Sequence, residues 1–169
     1  MTKKKTYLFF DTEIVTYILS AKMCHLLPFQ GVISVSGVYD LQCLNGRFLK
    51  SIYLHPTFGN GFKSWQKASP IITAKTTENT ETSYLLLSAA KDLFLKQQSL
   101  DFHDVLETKG INSKHVEIRG TNHFSIITGT RTDMSSMLGV VIDFIKTNWI
   151  KTVNVFTCYK VHQFITESE

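Results

Sequence analysis

Gly31-Val32-Ile33-Ser34-Val35-Ser36-Gly37 is a short, β-branched, uncharged run that follows Pro28. Such a run fits a strand buried on both faces, as the inner strands of a parallel sheet are. Gly37-Val38-Tyr39-Asp40 then reads as the loop at its carboxyl end.

Upstream, Val15, Ile18, Leu19, Met23, Leu26 and Leu27 recur at helical spacing, with Asp11 or Thr12 as a cap and Pro28 as the stop. Residues 1–30 are therefore expected to be a helical N-terminal segment. Downstream, residues 41–70 hold Gly46, Pro56, Gly59, Gly61 and Pro70 among Phe48, Tyr53, Phe58, Phe62 and Trp65, without a clean period. They read as an excursion between two strands, with short helices over 46–54 and 62–68 and its aromatics as local core.

After the polar loop 76–82, Ser83-Tyr84-Leu85-Leu86-Leu87-Ser88-Ala89-Ala90 repeats the signature of a buried strand and ends at Lys91-Asp92. Residues 94–109 carry Leu95, Phe102, Val105 and Leu106 on one face, and Gly110 is a C-terminal stop. A third strand over 114–118 is expected to end in the turn at Gly120. Met134, Met137, Leu138, Val141, Ile142 and Ile145 give the clearest helical period, with Thr132 or Asp133 as cap. Residues 151–169 alternate weakly and carry no assigned element. The alternation of strands and helices specifies an α/β domain with a mostly parallel sheet flanked by helices over 28–150.

That topology has a chemical consequence. In a parallel sheet with right-handed crossovers, all strands end on one edge. Asp92 follows one strand and His123 the next, so the two should meet there. A carboxylate beside an imidazole selects its tautomer and stabilises its charged form, as in hydrolytic triads. The bland alternative is a surface Asp and a loop His that only cap local turns. Asn122 before His123, and Phe124, Ile126 and Ile127 after it, should fix the loop and leave the imidazole free.

Composition narrows the field. At 169 residues, with 43% apolar and 19% charged residues, the chain can bury a substantial core. Its net charge of +4 owes much to Lys3-Lys4-Lys5, and no stripe of cations interleaved with aromatics suggests nucleic acid. Cys24, Cys43 and Cys158 form no metal or disulfide pattern, which points to a reducing, cytoplasmic setting. No apolar run is long enough to span a membrane, and the basic start lacks the apolar length of a signal peptide.

Taken in order, the run Gly31 to Leu41, then Ala68-Ser69-Pro70, the strand ending in Asp92, Gln98-Ser99, and Asn122-His123-Phe124-Ser125-Ile126 resemble the C-terminal half of an α/β-hydrolase. The subgroup they most resemble is kynurenine formamidase (arylformamidase), with related carboxylesterases next. The resemblance implies Asp92 as triad acid and His123 as triad base, in the order that the fold uses. It also implies a small substrate, a formamide or ester of an aromatic amino-acid derivative, and no metal or organic cofactor.

The resemblance lacks its nucleophile. No Gly-x-Ser-x-Gly turn and no His-Gly-Gly loop occur in the sequence. Ser34 and Ser36 lie in a strand that, in the family, follows the helix behind the nucleophile, and Ser125 belongs to the base's own loop. The family's turn is expected at or before Met1, so the chain reads as a truncated, weakly active or inactive form. Two other readings remain: a non-catalytic binding module and a carboxylesterase. Loss of the preceding half would leave the strand edge at 31–36 open, which invites a homodimer.

Overall fold

A computed structural model of the chain describes residues 6–10, 29–44, 51, 54–59, 61–76, 82–128 and 131–149. The strands are β1 (Thr6–Phe10), β2 (Phe29–Val35), β3 (Ser83–Lys91) and β4 (Ser113–Asn122). The helices are α1 (His55–Phe58), α2 (Phe62–Ala68), α3 (Pro70–Thr76), α4 (Leu95–Thr108), α5 (Ser125–Thr128) and α6 (Arg131–Trp149). A 3-10 turn, Leu41–Cys43, follows the loop after β2.

The strands form one sheet in the order β1-β2-β3-β4, and every pair is parallel. β3 is buried from Ser83 to Ala89, as a strand covered on both faces must be. On one face, Val32, Tyr84 and Leu86 pack with Tyr39, Ile71, Phe102 and Leu106. On the other, Ile33, Leu85, Leu87 and Ile118 pack with Ile126, Val141 and Phe144 of α5 and α6. The result is a helix–sheet–helix sandwich, in agreement with the sequence reading.

α4 stops for a local reason. Gly110 takes φ +69, its N–H donates to the Glu107 carbonyl, and the Ile111 N–H donates to that of Leu106. These are the paired bonds of a Schellman ending, closed by apolar contact between Leu106 and Ile111. The excursion after β2 has its own small core of Val38, Leu41, Leu44, Leu54, Trp65 and Leu95. Trp65 is core as expected, whereas Phe62 is exposed.

Several expectations are corrected. Thr6–Phe10, given no strand in the sequence, pairs with β2 along Tyr7–Phe10 against Gly31–Ser34. The edge at 31–36 is therefore not open: β2 lies between β1 and β3, and the outer strands among the described residues are β1 and β4. β4 does not end at Gly120. It runs on to Asn122 because Gly120, at φ +78, absorbs an irregularity opposite Ala89–Lys91. α6 begins at Arg131, so Thr132 and Asp133 lie within it and not before it. α3, which the sequence left unassigned, begins with Pro70, where a missing N–H costs nothing. The helix expected over 15–27, parts of the one over 46–54, and the tail 151–169 lie outside the described residues.

Candidate active site

Because β3 and β4 are parallel neighbours, Lys91 pairs with Asn122, and the next residues, Asp92 and His123, face one another beyond the sheet. The His123 N–H also donates to the Lys91 carbonyl at 3.2 Å, which pins the two chain exits together. His123 Nδ1 and Asp92 Oδ1 are 2.9 Å apart. A carboxylate only accepts, so the proton of this bond sits on Nδ1. Among the described residues Nε2 has no hydrogen-bond partner, which leaves it free for another group.

The loop is held as the sequence suggested, but by fewer residues. Asn122 Oδ1 accepts from the N–H groups of Phe124 and Ser125, and Ser125 Oγ accepts from the Asn122 N–H at 2.9 Å. This reciprocal box fixes the turn that carries the imidazole. Ile126 is buried and anchors α5. Phe124 and Ile127 do not anchor it; Phe124 is 72% exposed and meets the His123 ring edge-on at 5.3 Å.

Asp92 is only 2% exposed. Its second oxygen, Oδ2, accepts from Ser36 Oγ at 2.7 Å and from the Ala89 N–H at 3.1 Å. A buried carboxylate is tolerated only with such donors around it. The backbone is strained on both sides of this group. Ser36 has φ +49 and Leu93, next to Asp92, has φ +51. Non-glycine residues rarely adopt these values, and where they do, structure elsewhere must hold them. Leu93 and Phe94 are exposed, at 73% and 78%, so with Phe124 they give this edge an apolar rim.

The other motif residues brace the loop after β2. Gln98 Oε1 accepts from the Tyr39 and Asp40 N–H groups at 2.9 and 2.8 Å. Ser69 Oγ accepts from the Leu41 N–H at 3.0 Å and donates to the Trp65 carbonyl at 2.7 Å. Tyr39 stacks on Phe102 with centroids 4.4 Å apart and donates its hydroxyl to Ser34 Oγ at 2.7 Å. Burial pushes the Tyr39 phenol far above its usual range, so it stays a donor. The stretches that seem separate in sequence thus converge on one loop beside the acid. Ser36 and Ser69 were not legible as members of this network. Their only signal was a serine within an apolar run and a serine before a proline.

Ser34 is committed to Tyr39, Ser36 to Asp92 and Ser125 to Asn122, and none of the three hydrogen-bonds His123. Among the described residues no three His, Cys, Asp or Glu side chains could hold a metal ion. No described helix is long and apolar enough to cross a membrane.

The architecture has close counterparts among solved structures. Acylaminoacyl peptidase of Pyrococcus horikoshii superposes with a TM-score of 0.70 at 17% identity, covering 97% of this chain and 27% of that one. The fold is that of an α/β-hydrolase in part. Esterase B of Lactobacillus rhamnosis gives 0.62 at 14% identity over 85% of this chain and 53% of its own. S-formylglutathione hydrolase of Agrobacterium tumefaciens gives 0.55 at 10% identity, covering 81% and 49%. The chain thus spans about a quarter of the length of the peptidase and about half that of the other two. At these identities the likeness is one of fold. No family model and no curated protein sequence matches the chain.

Proposed function

We propose that Asp92 and His123 are the acid–base part of an acyl-cleaving hydrolase site, of the kind that converts N-formyl-L-kynurenine to L-kynurenine and formate. The observation that carries this reading is the 2.9 Å bond from His123 Nδ1 to a buried Asp92 carboxylate, with Nε2 left unpaired among the described residues. In such a site Nε2 takes the proton of an attacking hydroxyl, and Asp92 holds the tautomer and stabilises the charge that results. The ordered motifs Gly31 to Leu41, Ser69, Gln98 and Asn122-His123-Phe124 support the formamidase assignment over a general esterase. The apolar rim of Leu93, Phe94 and Phe124 suits an aromatic substrate.

With no Gly-x-Ser-x-Gly turn in the sequence, the reading includes slow or absent turnover by this chain alone. Loss of a serine nucleophile alone lowers turnover by on the order of a millionfold in a serine hydrolase. The test exposes the chain to N-formyl-L-kynurenine, a panel of aryl esters and amides, and a fluorophosphonate probe. The expected result is a rise in melting temperature with N-formyl-L-kynurenine that His123→Ala abolishes, near-background turnover and no covalent label. Absence of any shift and any turnover contradicts the reading. Covalent labelling with preferential ester cleavage replaces it by a carboxylesterase.

A further inference from the structure

We infer that Ser36 is a positioning residue for the acid–base pair: its hydroxyl fixes the Asp92 carboxylate so that Oδ1 alone is presented to His123. The inference rests on the reading of Asp92 and His123 given above, and adds to it a residue from a third strand exit.

A carboxylate on a short side chain can rotate and exchange its two oxygens. What stops Asp92 from doing so is the pair of donors on Oδ2. One is the Ala89 N–H at 3.1 Å, three residues back on the same strand. The other, shorter bond comes from Ser36 Oγ at 2.7 Å, 56 residues away on the exit of β2. With Oδ2 occupied from two directions, Oδ1 is left to accept from His123 Nδ1. Both Ser36 and Asp92 are sealed from solvent, so water cannot replace the hydroxyl.

The backbone at Ser36 argues that the hydroxyl is what the chain retains there. Ser36 holds φ +49, a conformation that strains a side-chain-bearing residue and costs glycine little. Its N–H is fixed to the Leu87 carbonyl at 2.7 Å, so the strained residue is clamped to β3, the strand that carries Asp92. A glycine would relieve the strain and keep that clamp; it would only lose Oγ. Ser36 is also within the site's hydrogen-bond reach without touching His123, which makes its action indirect.

The test reads the His123 ring rather than turnover. In nitrogen–proton spectra of the unaltered chain, the His123 Nδ1–H gives a downfield, slowly exchanging signal. In Ser36→Gly, which relieves the strain and removes the hydroxyl, that proton moves upfield and exchanges with water at least tenfold faster, while the backbone amides of β3 stay dispersed. Ser36→Ala, which keeps the strain, gives the same change. An unchanged Nδ1–H signal in either folded variant overturns the role of Ser36 and leaves the Asp92–His123 pair standing. A chain without the signal even before substitution overturns both. A further measurement needs no variant: the Ser36 hydroxyl proton should exchange slowly enough to be observed, and exchange at the rate of a free serine contradicts the assignment.

Discussion

Asp92 and His123 are 31 positions apart in sequence and joined by a 2.9 Å bond in the fold. The join follows from the pairing of Lys91 with Asn122 at the ends of parallel β3 and β4, so it is set by the sheet and not by the loops alone. Removing the acid should therefore disturb more than the histidine. In Asp92→Ala the Ser36 hydroxyl and the Ala89 N–H lose their acceptor in a closed space. Each stranded buried group costs about 1–3 kcal/mol, so a loss of at least about 2 kcal/mol is expected in urea unfolding. A loss near zero would show that water reaches the pocket.

Gly37 is the position where the loop after β2 has least room. A Cβ there would lie 2.6 Å from the Tyr39 hydroxyl and 2.7 Å from Ser34 Oγ. Gly37→Ala should displace Tyr39 from Ser34 and destabilise the chain by about 1–3 kcal/mol, the usual penalty for overpacking. Thermal unfolding measures it. Tyr39→Phe, which removes the hydroxyl, should relieve part of that loss when combined with Gly37→Ala, and strict additivity of the two would count against the contact.

Gly110 offers a contrast, because nothing lies within 4 Å of a Cβ built there and only φ +69 matters. Gly110→Ala should cost about 1 kcal/mol, and Gly110→Asn less, since asparagine tolerates this conformation. Equal costs for the two would point to a clash instead of backbone strain.

Acid should weaken the fold through His115. Its pKa is lowered, first by burial and then by the neighbouring His103 and Lys96, with Glu117 opposing. His115 Nε2 lies 2.9 Å from Ser88 Oγ, and the His103 ring is centred 6.5 Å away. Because the folded state resists this proton, the unfolded chain binds it first, and stability falls as pH drops below the ordinary value of 6.5. His115→Gln should flatten the decline of melting temperature between about pH 7 and pH 5. A slope unchanged by the substitution would assign the acid sensitivity elsewhere.

The central strands were legible because their sequences have one meaning. Residues 83–90 are uncharged and largely apolar without alternation, as a short strand covered on both faces is. α6 was legible from its period. β1 was not, since five residues, Thr-Tyr-Leu-Phe-Phe, are too few to show a pattern and follow a lysine run that suggests a tail. The true end of β4 was hidden because a glycine in a strand irregularity looks the same in sequence as a glycine in a turn. In the site, chain order and handedness sufficed to bring Asp92 to His123. Ser36 escaped, because its partner depends on the turn of the backbone after β2, where a positive φ redirects the side chain toward the neighbouring strand's exit.

The most direct test of the account is the hydrogen bond on His123 Nδ1, followed by nitrogen–proton spectroscopy in the unaltered chain and in Asp92→Asn. The account predicts a protected Nδ1–H signal in the unaltered chain, and its loss in Asp92→Asn. A ring without a protected Nδ1–H, with spectra the same in both chains, would contradict it.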